Sequence, residues 1–356
     1  MRSTFTGLLA VALVPALAAR ISAARPRPSQ GVYATVAEAR KAGPDFDIQG
    51  EYEGTVGGDA DKKIGVQVIA LGQSKFQAVF LPGGLPGAGW DSKSKVLCQG
   101  KLDGGKVRLE PAAGERRYMD GNPDRFSATA AFPPAGQKDY TATIEGGRLT
   151  GKTDTGKAIE ARKVTRKSPT LGAKPPQGAT VLLAYRPGKA PSLGAWTNPK
   201  WKTSPEGYMQ VIRRSGSNRT QRSFQGPWKL HVEFMTPFQP RARSQGRGNS
   251  GVYPPGGREV QVLDSFGLDG KANECGGIYK NYPPRPHMCL PPLSWQTYDI
   301  EYRPAADGQP AWYKVVHNGV VIHKKVTLGK GAAKPVLLQD HGNPVSYRNI
   351  WIVLGK

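Results

Sequence analysis

Gly248-Asn249-Ser250-Gly251-Val252-Tyr253 leads into Arg258-Glu259-Val260-Gln261-Val262-Leu263-Asp264. The second stretch alternates, and alternation at period two is the signature of a half-buried strand. Side chains two apart leave a strand on the same face, so Glu259 and Gln261 share one face and Val260 and Val262 the other. One apolar face and one carboxylate-plus-amide face suit a β-sandwich whose polar face takes a ligand. Further along come Asn273-Glu274-Cys275-Gly276-Gly277-Ile278-Tyr279-Lys280 and Cys289-Leu290-Pro291-Pro292-Leu293-Ser294-Trp295.

Around this centre the chain reads as all-β. Strands are expected at Thr180–Tyr185, Tyr208–Arg213, Lys229–Phe234, Glu259–Asp264, Gln296–Tyr302, Ala311–His317, Val320–Val326, Val336–Gln339 and Tyr347–Val353. Asn318-Gly319 between two of these is a strong hairpin signal. So many strands with little helical periodicity suggest a sandwich or jelly roll over residues 178–356. Residues 46–165 read as a smaller β-rich domain. Its hairpins are Gly65–Leu71 with Lys75–Leu81, and Tyr140–Ile144 with Arg148–Lys152. Thr35-Val36-Ala37-Glu38 is a capping box that opens a short helix within a lead-in over residues 25–45. Residues 166–177 form a Pro-containing basic linker, across which few contacts are expected.

Residues 1–24 have the order of an export signal. Arg2 precedes the apolar Gly7–Val14, and Ala16-Leu17-Ala18 offers a small-residue cleavage site. The apolar run is too short to span a bilayer, and no other segment has the length for a transmembrane span. The expected location is periplasmic or extracellular. The mature chain of about 330 residues is long enough for two cores.

Lys and Arg number 50 against 27 Asp and Glu, a net charge of +23. The basic residues are scattered, with no run of five and no nucleic-acid-binding motif, so no nucleic-acid partner is expected. The excess fits charge spread over the loops of an exported protein. Export also permits disulfides, and Cys275 and Cys289 are expected to pair and stiffen the loop between them. Cys98 is left as a small buried hydrophobe.

The second half resembles the 3-keto-disaccharide hydrolase domain family, whose fold is similar to that of concanavalin-type lectins and glucanases. The resemblance rests on Leu230–Phe234, Gly248–Tyr253, Glu259–Asp264, Cys275–Tyr279, Trp295–Asp299, Leu338–Pro344 and Tyr347–Ile352. It implies cleavage of glycosides oxidised at carbon 3. A ketone there acidifies the proton on carbon 2. A base removes that proton, the group on carbon 1 leaves, and water adds back. The site then needs a base near carbon 2, donors for the enolate oxygen and an acid for the leaving oxygen. It does not need the paired carboxylates of an ordinary glycosidase. The substrate's ketone calls for an upstream sugar oxidoreductase as a partner. No cofactor is expected. No acidic cluster calls for calcium, although sandwiches of this type sometimes bind it.

Three residues are the catalytic candidates. Glu259 lies on the polar strand face. His341 stands in a strand-end loop, and an imidazole can serve as acid or base. Asp264, five residues beyond Glu259, points to the opposite face unless the strand bulges. Asn249, Gln261, Tyr279, Lys280, Gln339 and Arg348 are the substrate-binding candidates. Arg348 alternates with Ile350 and Ile352, a pattern that also fits a buried, paired arginine. His231 and His323 sit in strand patterns and read as structural. Two other functions fit the same sequence. One is a carbohydrate-binding module without catalysis, because the sandwich also serves lectins. The other is a surface protein whose charge contacts acidic polymers.

Overall fold

Alternation along the first long hairpin sets the architecture of the N-terminal half. A computed structural model describes residues 31–327 and 334–355; the expected leader lies outside these residues, as does the start of the lead-in. Among the described residues no helix is long and apolar enough to cross a membrane. The capping box at Thr35 and Glu38 is formed, and it opens helix α1 (Val36–Ala42). A one-turn helix, α2 (Asp45–Ile48), follows.

The first strands are β1 (Gly50–Val56), β2 (Asp59–Gly72), β3 (Lys75–Pro82), β4 (Val96–Asp103) and β5 (Lys106–Pro111). Two short strands, β6 (Arg117–Tyr118) and β7 (Phe126–Ser127), pair in parallel. Then come β8 (Thr141–Glu145), β9 (Arg148–Lys152) and β10 (Ala158–Val164). Apart from β6 and β7 they close into a barrel in the order β1-β10-β9-β8-β5-β4-β3-β2, which leaves no open edge. Its interior is filled by Tyr52, Val66, Val68, Phe76, Phe80, Leu109, Ile144 and Ile159. This is a packed core, as eight strands permit.

The outward positions of the same strands are also apolar. Ile69, Leu71, Val79, Leu81 and Leu97 are buried, and they join one cluster with Phe266, Leu268 and Met288 from the second half. Burying each such side chain contributes roughly 1.5–3 kcal/mol. Arg243 Nη2 donates to Leu71 O at 2.8 Å and Arg247 Nη1 to Ala70 O at 3.2 Å. The expectation of few contacts between the halves is therefore corrected. A strand apolar on both faces must be covered on both, and the sandwich covers the second.

The C-terminal half holds β11 (Thr180–Leu183), β12 (Lys202–Ser204), β13 (Tyr208–Gln210), β14 (Asn218–Phe224), β15 (Trp228–Met235), β16 (Ser250–Tyr253) and β17 (Val260–Val262). It continues with β18 (Gln296–Arg303), β19 (Trp312–His317), β20 (Val320–Thr327), β21 (Lys334–Leu338) and β22 (Ser346–Leu354). One sheet runs β12-β13-β22-β15-β18-β19-β20, with β11 also on β22; the other runs β14-β21-β16-β17. Leu230, Val232, Phe234, Tyr298, Ile300, Ile350 and Ile352 of the large sheet meet Val252, Val260, Val262, Val336 and Leu338 of the small one. The fold class is all-β, with a two-sheet sandwich after a small β body.

The segment read as a linker is bound along the outer face of the large sheet. Ser168 Oγ lies 2.6 Å from Thr297 Oγ1, Thr170 Oγ1 donates to Asp299 Oδ2 at 2.7 Å, and Gly172 N donates to Glu233 Oε1 at 2.6 Å. It covers polar residues that would otherwise face water. His231 lies beneath it, stacked on Trp351 and 2.6 Å from Asp299 Oδ1. Burial pushes the His231 pKa down, but the bond to Asp299 and the nearby Glu233 carboxylate outweigh it and hold the pKa above the usual value.

Candidate functional site

Strand parity builds the outer face of the small sheet. Ser250 and Val252 point at the large sheet, so Gly251 and Tyr253 point away. Gly251 pairs with Gln261, and Val252 with Val260. One step on, Glu259 comes beside Tyr253, whose hydroxyl donates to Glu259 Oε2 at 2.7 Å. On the other side Gln339 follows β21. Its backbone N–H donates to Gly251 O at 3.0 Å and its Nε2 to the Tyr253 hydroxyl at 3.3 Å. Glu259, Tyr253, Gln261 and Gln339 thus share one polar face around Gly251.

Glu259 is only 8% exposed and makes no ion pair among the described residues. Burial raises its pKa above the ordinary 4.5, and the Tyr253 bond offsets this only in part. A carboxylate held this way is a stronger base than a solvated one. Its Oε1 lies directly over Gly251, where any side chain would overlap it. Gly251→Ala should therefore displace the carboxylate and not the backbone, since the atom in the way ends a flexible side chain. The expected result is a variant with near wild-type melting temperature and at least a tenfold loss of turnover, consistent with the cost of a small misplacement. Unchanged turnover would separate Glu259 from the chemistry.

A loop network carries this face to a cleft. Gln261 Nε2 donates to Gln245 Oε1 at 3.1 Å, and Asn249 Nδ2 donates to the same oxygen at 3.1 Å. Asn249 N donates to Asn343 Oδ1 at 2.7 Å. Asn249 Oδ1 and Gln261 Oε1 are buried and have no partner among the described residues. Buried acceptors are ordinarily satisfied, so these two are the open positions of the network. Beside them opens a cavity of about 870 Å³ lined by Gln245, Asn343, His341, Gln239, Arg213 and Arg241, among others. Asp340 accepts from Gly342 N and Gly216 N, which fixes the loop presenting the exposed His341. Glu259 is not in the cavity wall. It is joined to it through Gln261 and Gln245.

Several candidates lie elsewhere. Asp264 is buried with its Oδ2 2.7 Å from Arg247 Nε, beside a void of only about 10 Å³. Burial raises its pKa even against Arg247. Its assignment as catalytic is corrected to an ion pair at the seam with the barrel. Arg348 is on the outer face of the large sheet, 2.6 Å from Glu233 and between the rings of Tyr185 and Trp295. Its assignment to substrate is likewise corrected. Cys275 and Cys289 are free and buried; the Cys275 thiol lies 3.3 Å from the Tyr298 hydroxyl and the Cys289 thiol 3.5 Å from Leu263 O. The loop they flank is held by burial and hydrogen bonds, without the expected disulfide. Tyr279 N donates to Glu259 O, while Lys280 is exposed above the Tyr279 ring.

Sequence reading passed over Tyr253, Gln245, Asn343, Arg213 and Arg241. Tyr253 and Asn343 stand inside quoted motifs, and strand parity could have found Tyr253. Gln245 and the two arginines carry no local signal. Among the described residues no cluster of three or more His, Cys, Asp or Glu gathers as metal ligands do.

No curated protein matches this chain. Among solved structures it is similar to a protein from Parabacteroides distasonis described as a "putative glycosyl hydrolase". Identity is 30%, covering 51% of this chain and 85% of that one, with a TM-score of 0.43. A second structure of the same description and organism is 16% identical over 50% of this chain and 95% of that one, with a TM-score of 0.38. Residues 178–353 match a protein family in sequence. The C-terminal half of the chain belongs to the 3-keto-alpha-glucoside-1,2-lyase-like domain family.

Proposed function

We propose that the protein is an exported enzyme that cleaves 3-keto-glycosides or 3-keto-disaccharides by elimination and rehydration. The coarser part of this reading, a carbohydrate-acting, hydrolase-like domain, follows from the family. The observation that supports the finer part is one buried carboxylate of raised pKa, beside two unpartnered amide oxygens, next to a cleft whose wall contains no Asp or Glu. Displacement at carbon 1 would need a second carboxylate about 5–10 Å from the first. The nearest in sequence, Asp264, is held by Arg247.

In this mechanism the sugar ring reaches past Gln245 from the cavity to the face of Glu259, which takes the proton from carbon 2. Gln245 and Asn343 of the cavity wall meet the sugar hydroxyls, and Asn249 and Gln261 hold those two in place. The bond from carbon 1 to the leaving oxygen breaks as His341 gives that oxygen a proton. Water then adds across the double bond. An upstream oxidoreductase must supply the ketone. The leader-like residues 1–24 support action in the periplasm or outside the cell.

Incubation of a chromogenic 3-keto-glucoside and its unoxidised parent in deuterated water tests the reading. The keto form should be cleaved far faster, and deuterium should appear at carbon 2 of the released keto-sugar. Equal cleavage with no deuterium would overturn elimination. Binding without turnover of either compound would favour a carbohydrate-binding module.

A further inference from the structure

We infer that the leaving group of the substrate carries a negative charge, held by Arg213 and Arg241 at the mouth of the cleft. The inference rests on the proposed function for one point only: His341 serves the leaving oxygen, so the groups sharing its cavity face the leaving group. Both arginines line that cavity, and no acidic residue does among the described residues. Neither makes a side-chain hydrogen bond or an ion pair among the described residues. Eleven other arginines among the described residues do, including Arg247 and Arg348. The acid whose field reaches Arg241 is Asp45, and it lies too far away for an ion pair.

The two side chains are also placed by the fold. The Arg241 stem crosses Gly72 so closely that an added Cβ there would come within 2.7 Å of its Cγ. Gly72 ends β2 at the turn into β3. The Arg213 stem rests on Gly342, beside His341. Val32, from the lead-in, lines the same cavity, and Tyr33 bridges to Phe238. The N-terminal half thus lends Val32 to the cleft and backs one of its two cations. A net charge of +23 spreads cations everywhere. What sets this pair apart is a shared concave wall with no counter-charge. Guanidinium groups in such a place suit a carboxylate or a sulfate, which they can hold with paired hydrogen bonds.

The test is equilibrium binding of unoxidised glucosides to the full chain. The ligands are 4-carboxyphenyl, 4-sulfophenyl and neutral 4-methylphenyl glucosides, in both anomers. An anionic aglycone should bind roughly tenfold or more tighter than the neutral one at low salt, which corresponds to 1.4 kcal/mol. The preference should shrink as salt is raised, because the arginines are exposed. It should fall in Arg213→Gln and in Arg241→Gln, and approach unity in the double variant. Whichever anion binds tighter names the chemistry of the leaving group. Equal binding of charged and neutral glucosides, or a preference that survives in the double variant, overturns the inference. The parent glucosides cannot undergo elimination. An intact charge preference with no turnover of keto-sugars would therefore remove the proposed reaction and leave the anion site standing.

Discussion

Glu259→Gln should lose on the order of 100-fold or more in turnover of a 3-keto-glucoside, the scale of general acid–base catalysis, while its melting temperature does not fall. The glutamine still offers an oxygen to the Tyr253 hydroxyl, so the local bond survives. The sign of the stability change follows from burial, which raises the folded pKa of Glu259 above 4.5. A carboxyl shifted this way stabilises the fold below its ordinary pKa, and that contribution is lost as pH rises through the folded value. At neutral pH the ionised carboxylate is a net cost, so the variant should equal or exceed wild type in stability there. The wild-type rate should climb with pH along a limb displaced above the usual carboxylate range. That limb should vanish in Glu259→Gln. A variant that keeps wild-type turnover removes Glu259 from the mechanism. One that unfolds at neutral pH contradicts the account of its burial.

Asp264→Ala should destabilise the protein by about 3–5 kcal/mol, because it takes from the buried Arg247 both its counter-charge and the oxygen that accepts from its Nε. Arg247 also donates to Ala70 O and Gln49 Oε1, so its displacement opens the seam between barrel and sandwich. Below its melting temperature the variant should turn over substrate at close to the wild-type rate per folded molecule. Replacing both partners, Asp264→Leu with Arg247→Met, should recover part of the loss, as apolar isosteres of buried ion pairs commonly do. Denaturant unfolding and kinetics on the same samples separate the two roles. A fully stable Asp264→Ala that is inactive would restore the carboxylate to the catalytic list and revive displacement by a carboxylate pair.

By itself the sequence determined the all-β class, the polar face of Glu259 and Gln261, and the capping box at Thr35. Each follows from a period or spacing of a few residues, which the backbone imposes wherever the segment ends up. Parity also put Asp264 on the face away from Glu259. Four further facts were decided by tertiary structure alone. The apolar outer residues Ile69, Leu71, Val79 and Leu81 are visible in the sequence, but their partners Phe266 and Leu268 lie almost 200 residues away in the chain. The strap character of Ser168–Ala173 depends on Thr297, Asp299 and Glu233, which come from two other strands. Arg348 is paired and covered because the same strap and Trp295 close over its face. Arg213 and Arg241 meet His341 because separate loops converge at one end of the sandwich, with the barrel behind one of them. Short-range geometry is written in neighbouring residues. Which distant surfaces cover one another depends on the burial of the whole chain.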